Sequence, residues 1–516
     1  GSNAYVATAR AFPDGLVAGA AVAATGGVLY LVDGLGLSGS PESLTALEDA
    51  GLRRLRIVGG NAAVSDAVEA DLVALLGEAA PPREYAIAGT EYNGMQIVDI
   101  TNPRNARIAS VYDCGTLQGD IQVFEQGDRT LATFTSENTS SLVIESRCVQ
   151  DAVAAGDVDG AALAEGDRTS AYGTYVVDIT DPLDPVYGGF IPVPEGSHNG
   201  TVHPSGDWFY NSDSALIDDV TPQIQIYDIS ALPEVTRVGE VDLPVRPGLG
   251  TSSHDLTFNA DGSRMYAAAL SQTIIYDTTD PAAPVEVSSW IDPAINVEHQ
   301  ADPIDLVDSE GNERTLLLVE DELAGAAGNG FCPGGGVHIY DITGDNELDP
   351  MLHKVGTYFI PEFRPAGTGS GEGEAITCTA HVFRIHPEQQ IMTIAWYNAG
   401  VWVLDLSGLA DAATPLDEPI QTLGYAYFDN SDTWSFKTNR IEEDGSFYAY
   451  GNDIIRGLDV YRFDATADGG ADLAEMQGRF VNQPTAIAMA DRAAIANGLL
   501  PGEVDGPRCL LIAADS

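Results

Sequence analysis

Short stretches of β-branched and aromatic residues, punctuated by Gly, Pro, Asn and Asp, fill the chain from about residue 84 to about residue 480. That rhythm predicts many short strands joined by tight turns. One stretch recurs. It reads GMQIVDIT from Gly94, GTYVVDIT from Gly173, QIQIYDIS from Gln223, QTIIYDTT from Gln272, GVHIYDIT from Gly336 and GVWVLDLS from Gly400. A seventh copy, GLDVYRF from Gly457, has Arg462 where the others have aspartate. The motif aspartates are 49 to 79 residues apart. Strand-rich repeats of that period predict the blades of a β-propeller, about seven in number. Each motif aspartate is expected to close a turn after its strand through its side chain.

Residues 5–82 have a different pattern. The apolar run Val28–Val32 predicts a strand covered on both faces. A helix is expected from Pro41, with Ser40 as its N-cap, a second strand over residues 52–58, and a second helix over residues 64–76. The expected fold is therefore mainly β: a propeller over residues 83–516, preceded by a small α/β three-layer module over residues 5–82. Gly1 to Ala4 read as an appended tag and are left out of the module.

Two family resemblances follow from these residues. Phe12 to Leu16, Leu29 to Asp33 and above all Arg56 to Ser65 resemble the cell-wall-binding repeat type 2 family. The strand motif, repeated seven times over residues 84–480, resembles the LVIVD-repeat family of secreted bacterial propellers. These resemblances imply a secreted protein at the cell wall, with a cell-wall polymer or an envelope protein as partner.

Composition narrows the function. The 516 residues carry 77 acidic against 24 basic side chains, a net charge of −53. Such a surface repels phosphate backbones, so nucleic-acid binding is not expected. The apolar stretch of residues 16–32 is too short to span a bilayer, and no transmembrane segment is expected. Gly34 to Gly39 satisfies the glycine pattern of dinucleotide-binding folds. The second strand ends in Val58-Gly59-Gly60, without an acidic residue for a ribose, so that reading is set aside. No nucleophile elbow, phosphate loop or His-Glu-x-x-His motif is present. Nor can a pair of carboxylates for glycoside chemistry be placed.

Candidate chemistry lies where the innermost strand of each blade should begin. With the motif as the third strand, the first strands read from Asp120, His198, His254 and His381. His299 occupies the matching place in one blade and Lys437 in another. The innermost strands line the central channel, so this alignment predicts a ring of titratable groups. Neutral imidazoles of His198, His254, His299 and His381 could hold a transition metal. Asp120, Lys437 and Glu320 are candidate ligand-binding groups beside them. The run Glu320-Asp321-Glu322 could complete a metal or Ca²⁺ site, although on so acidic a chain it is expected to be solvated. The run Asp157-Val158-Asp159-Gly160 lacks the rest of a Ca²⁺ loop. His203 and His386, at the far ends of inner strands, are expected to be structural.

The long insertions over residues 137–171, 322–335 and 361–378 fall in the loops on the same face as the histidines. On that blade assignment the expected disulfides are Cys114–Cys148 and Cys332–Cys378, with Cys509 unpaired. Residues 481–508 have no predicted element, and the first blade lacks an inner strand unless the residues after Cys509 supply it. The leading expectation is a binding module at the cell envelope that presents this face to a ligand. The alternative is a metal-dependent oxidoreductase, similar in architecture to selenium-binding-protein-type propellers, which use channel histidines for copper.

Overall fold

The computed structural model describes residues 4–9, 19, 22, 28–33, 35–49, 55–58, 64–75, 83–90, 94–116, 119–137, 142–216, 221–245, 250–322, 333–361, 378–428, 430–466 and 480–483. The chain divides into two compact units, residues 1–84 and 85–516.

In the first unit, strand Ala4–Thr8 lies between parallel strands Val28–Val32 and Arg56–Val58. Helices Pro41–Asp49 and Asp66–Leu75 complete it among the described residues. The strand expectation is corrected here. Val28–Val32 is an edge strand with Val28 and Leu31 exposed; the fully buried strand is Ala4–Thr8. Ala4, read from sequence as part of a tag, is the first residue of that central strand. Ser40 precedes the helix, its carbonyl accepting from Leu44 N–H, and its hydroxyl accepts from the amide of Asp33.

The second unit is a seven-bladed β-propeller. Six blades are four-stranded antiparallel sheets in simple sequential order, labelled a to d from the channel outward. The first blade has three strands among the described residues: Tyr85–Thr90, Gly94–Asp99 and Arg107–Tyr112. These match strands b, c and d; the residues after Cys509, the expected source of its strand a, lie outside the described residues, as do residues 484–508. In every blade the repeated motif is strand c. Its first glycine is required by packing in blades 1 and 2. Gly94 has φ 82°, and a Cβ there would lie 2.3 Å from the amide of Cys114. Gly173 has φ 144°, and its Cβ would meet the carbonyl of Ile191 at 2.2 Å.

The motif aspartates do what the pattern predicts. Asp99, Asp178, Asp228, Asp277, Asp341 and Asp405 each accept a backbone N–H from the residue two positions on, at 2.8–3.1 Å. In blade 7, where Arg462 replaces the aspartate, Asp464 accepts from Thr466 two residues later.

Buried apolar residues form seven clusters, one between each pair of neighbouring blades. The one joining Ala88, Val98 and Ile100 to Tyr450, Leu458 and Val460 closes the ring between blades 7 and 1. A ring so closed has few free sheet edges. It is a rigid frame for whatever the inner strands carry.

Cys114 and Cys148 are bonded, tying the loop after blade 1 to the insertion in blade 2. That insertion holds helices Arg147–Ala155 and Gly160–Ala164. Asp159 is the N-cap of the second helix, and Asp157 accepts from the Tyr187 hydroxyl, so both carboxylates serve the fold. Cys378 is also in a disulfide; Cys332, its expected partner, and Cys509 lie outside the described residues. Among the described residues no helix is long and apolar enough to cross a membrane.

Candidate metal centre

Inner strands of blades 3, 5, 6 and 7 begin with a shared irregularity. Register shifts fall between Ser197 and Asn199, Glu298 and Gln300, His381 and Phe383, and Thr433 and Ser435. A bulge adds a residue, bends its strand and re-aims a side chain. In blades 3 and 5 the extra residue is His198 and His299. In blade 6 it is Val382, at φ 31°, directly after His381. A β-branched residue with positive φ is strained and is held only by a rigid surround.

The four histidines are brought together. Ring centroids are 4.6 Å apart for His198 and His254, 3.9 Å for His254 and His299, and 4.5 Å for His299 and His381. The Nε2 atoms of His198 and His254 are 3.0 Å apart. His254, His299 and Glu322 each offer a ligand atom, all within 4.8 Å of one another. All of these side chains are buried.

Three rings are fixed from outside through Nδ1. His198 Nδ1 is 2.6 Å from Glu137 Oε1, and His299 Nδ1 is 2.8 Å from Glu320 Oε2. His381 Nδ1 donates to the carbonyl of Trp434 at 2.5 Å. A carbonyl only accepts, so His381 carries its proton on Nδ1 and a lone pair on Nε2. That Nε2 has no hydrogen-bond partner among the described residues, nor have Glu322 Oε2, Glu320 Oε1 and Glu137 Oε2. Glu322 Oε2 is 3.8 Å from His299 Nε2, and its Oε1 accepts from the Tyr397 hydroxyl at 2.5 Å.

Burial, reinforced by the neighbouring rings, keeps His254, His299 and His381 neutral. The pKa of His299 is pushed down to about 3, and those of His254 and His381 lie well below the usual value. Burial also pushes the carboxyls of Glu320 and Glu322 well above their usual range. None of the three carboxylates has a Lys or Arg ion-pair partner among the described residues. Four buried imidazoles and the Glu322 carboxyl thus converge, with no Lys or Arg ion pair to that carboxyl among the described residues. Two imidazole nitrogens on a tetrahedral ion stand about 3.3 Å apart, given metal–nitrogen distances near 2.0 Å. The spacing of His198 and His254 is close to that.

Other expectations need correction. Glu320-Asp321-Glu322 is buried, not solvated, because strand b of blade 5 runs into the channel mouth rather than into solvent. Glu320 holds His299 by its outward nitrogen. Asp321 binds the amides of Asn296 and Val297 and so fixes the loop leading to His299. Lys437 does not start its strand; it ends Thr433–Lys437, and Trp434 takes the bulged place instead. Asp120 lies three residues before its strand, Val123–Gln126, with its carboxylate accepting from Gly200 N. Asp120 and Lys437 belong to a lower layer with Asp255 and Asp302, where burial raises all three aspartyl pKa values and Lys437 opposes the rise. His203, as expected, is structural: it joins Ser205 and the carbonyl of Gly262.

Glu137, Tyr397 and Trp434 were not found from sequence. One signal was available for Glu137. Strand b of blades 3, 5 and 7 ends in Asp213, Asp321 and Asp453, and the last two hold the backbone just before the inner strand of their own blade. Blade 2 ends strand b in Ser136, and Glu137 follows it as Glu322 follows Asp321; its carboxylate reaches His198 of the neighbouring blade.

Residues 2–69 match the family Cell wall binding domain 2 (CWB2). No curated protein matches the chain. Among solved structures, a periplasmic gluconolactonase of Pseudomonas aeruginosa is 11% identical, with a TM-score of 0.49, over 74% of this chain and 92% of that one. A putative 6-phosphogluconolactonase of Bacteroides fragilis is 9% identical, with a TM-score of 0.46, over 78% and 95%. Likeness at this level concerns the propeller fold alone.

Proposed function

We propose that this chain is an envelope-associated propeller that binds a transition-metal ion at its channel mouth. His198, His254, His299 and His381 bind through Nε2, and Glu322 through Oε2. One observation carries the reading: three of the rings are anchored through Nδ1, by Glu137, Glu320 and the Trp434 carbonyl, which turns Nε2 inward. That is the outer arrangement metal-ligating histidines use to fix tautomer and orientation. Imidazole with carboxylate suits zinc, copper, iron or nickel. The match of residues 2–69 to a cell-wall-binding family supports an envelope location and a wall polymer as partner. The repeated strand motif fits a secreted LVIVD-type propeller.

A second reading, a metal-dependent enzyme, draws support from the buried Glu322–Tyr397 pair. A closed structural site has no need of such a pair. Equilibrium dialysis of the full chain against buffered Cu²⁺, Zn²⁺ and Ni²⁺ tests the proposal. One equivalent bound, and lost in His299→Ala with the fold retained, is expected. No binding by the folded wild type refutes it.

A further inference from the structure

We propose that Tyr397 restricts Glu322 to one coordinating oxygen and so keeps a coordination position open for a small anion. This rests on the metal reading above.

Four imidazole nitrogens and one carboxylate oxygen make five donors. A sixth would come from Glu322 Oε1 if the carboxylate turned bidentate, and the site would then be closed. The Tyr397 hydroxyl holds that oxygen at 2.5 Å, leaving Oε2 on the side of His299.

Tyr397 cannot easily turn away. It is fully buried, and its backbone has φ 38°, a region that non-glycine residues enter only under constraint. Its N–H donates to the carbonyl of Thr433 and its carbonyl accepts from Thr433 N–H, both at 3.2 Å, locking blade 6 to blade 7. Thr433 precedes Trp434, whose carbonyl holds His381. The tyrosine therefore positions the carboxylate directly and His381 through one peptide.

The occupant of the open position must be small, because every ligand is buried. It must be an electron-pair donor, because it would bind a cation already short of one donor. The indole of Trp434 stacks on His381, with centroids 5.7 Å apart. Its N–H is buried without a partner among the described residues, a donor suited to the far end of a bound anion. On binding, a bond forms from the anion to the metal and a water leaves; no redox change is involved.

The test uses the full chain loaded with Co²⁺, titrated with azide and followed by visible absorption. Wild type is expected to show saturable shifts of its d–d bands. Tyr397→Phe should take up the same one equivalent of Co²⁺ but bind azide about 10-fold more weakly or worse. Bands of the wild type unmoved by azide overturn the inference, whether or not the variant folds. So does equal azide affinity in both proteins. Failure of wild type to take up Co²⁺ overturns the metal reading itself and is read separately from the stoichiometry.

Discussion

Nδ1 of His198 in blade 3 is 2.6 Å from Oε1 of Glu137 in blade 2, and both side chains are buried. The pair crosses a blade boundary, so a residue of one repeat sets the orientation of a ring in the next. Replacing Glu137 with Ala leaves His198 in place but free to rotate and change tautomer. Metal affinity should fall by about 10- to 100-fold, with the fold intact by circular dichroism. Competition with a chromophoric chelator measures it.

Glu298 is buried, accepts from the Thr273 hydroxyl, and has its pKa pushed up to about 8 by burial. Its unfolded value is the ordinary one, near 4.5. Between these values the native state holds the extra proton, so stability falls as pH rises from about 4.5 through 8. Glu298→Gln does not titrate. In metal-free protein the melting temperature of the variant should gain on wild type between pH 5 and pH 8. A constant difference would count against the assignment.

Lys354, one of two lysines in the chain, is ion-paired with buried Asp292 and also contacts His338 Nδ1 at 2.8 Å. The hydroxyl of Tyr340 completes the group at 2.6 Å from Asp292. Lys354→Met leaves the buried carboxylate without its cation. The propeller should lose about 3–5 kcal/mol in urea unfolding. The double variant with Asp292→Asn should recover part of it.

The Cys114–Cys148 bond closes a loop with a sequence separation of 34. Chain-entropy arguments give such a loop about 3–4 kcal/mol of stabilisation. Cys114→Ser with Cys148→Ser should lower propeller stability by that order. Amide exchange should quicken first in helix Arg147–Ala155, which carries Cys148.

The blades were legible because their cause is local. An aspartate that accepts the N–H two residues on ends the c strand in blades 1, 2, 4, 5 and 6, whatever the rest of the blade does, as Asp99 and Asp405 show. The convergence of His198, His254, His299 and His381 could be anticipated because repeats place equivalent residues on one ring. The supporting groups could not. Glu137 acts one blade away, Trp434 through its backbone carbonyl, and Tyr397 through a hydroxyl that reaches Glu322 across blades. None of these contacts has a sequence period. Lys437 was misaligned because blade 7 carries Trp434 at the bulged place, and the next titratable residue stands three positions on, at the end of the strand. The run Glu320 to Glu322 was read as solvated because charge composition speaks for the surface as a whole, not for a strand end in a channel.

The account stands or falls on metal content. Full-length protein purified without chelator, and never exposed to an affinity metal, is to be assayed by elemental analysis alongside His254→Ala. The prediction is about one equivalent of a single transition metal in wild type and a loss of most of it in the variant, both folded. Folded wild type with no stoichiometric transition metal, even after reloading, would contradict the account, as would metal retained undiminished without His254.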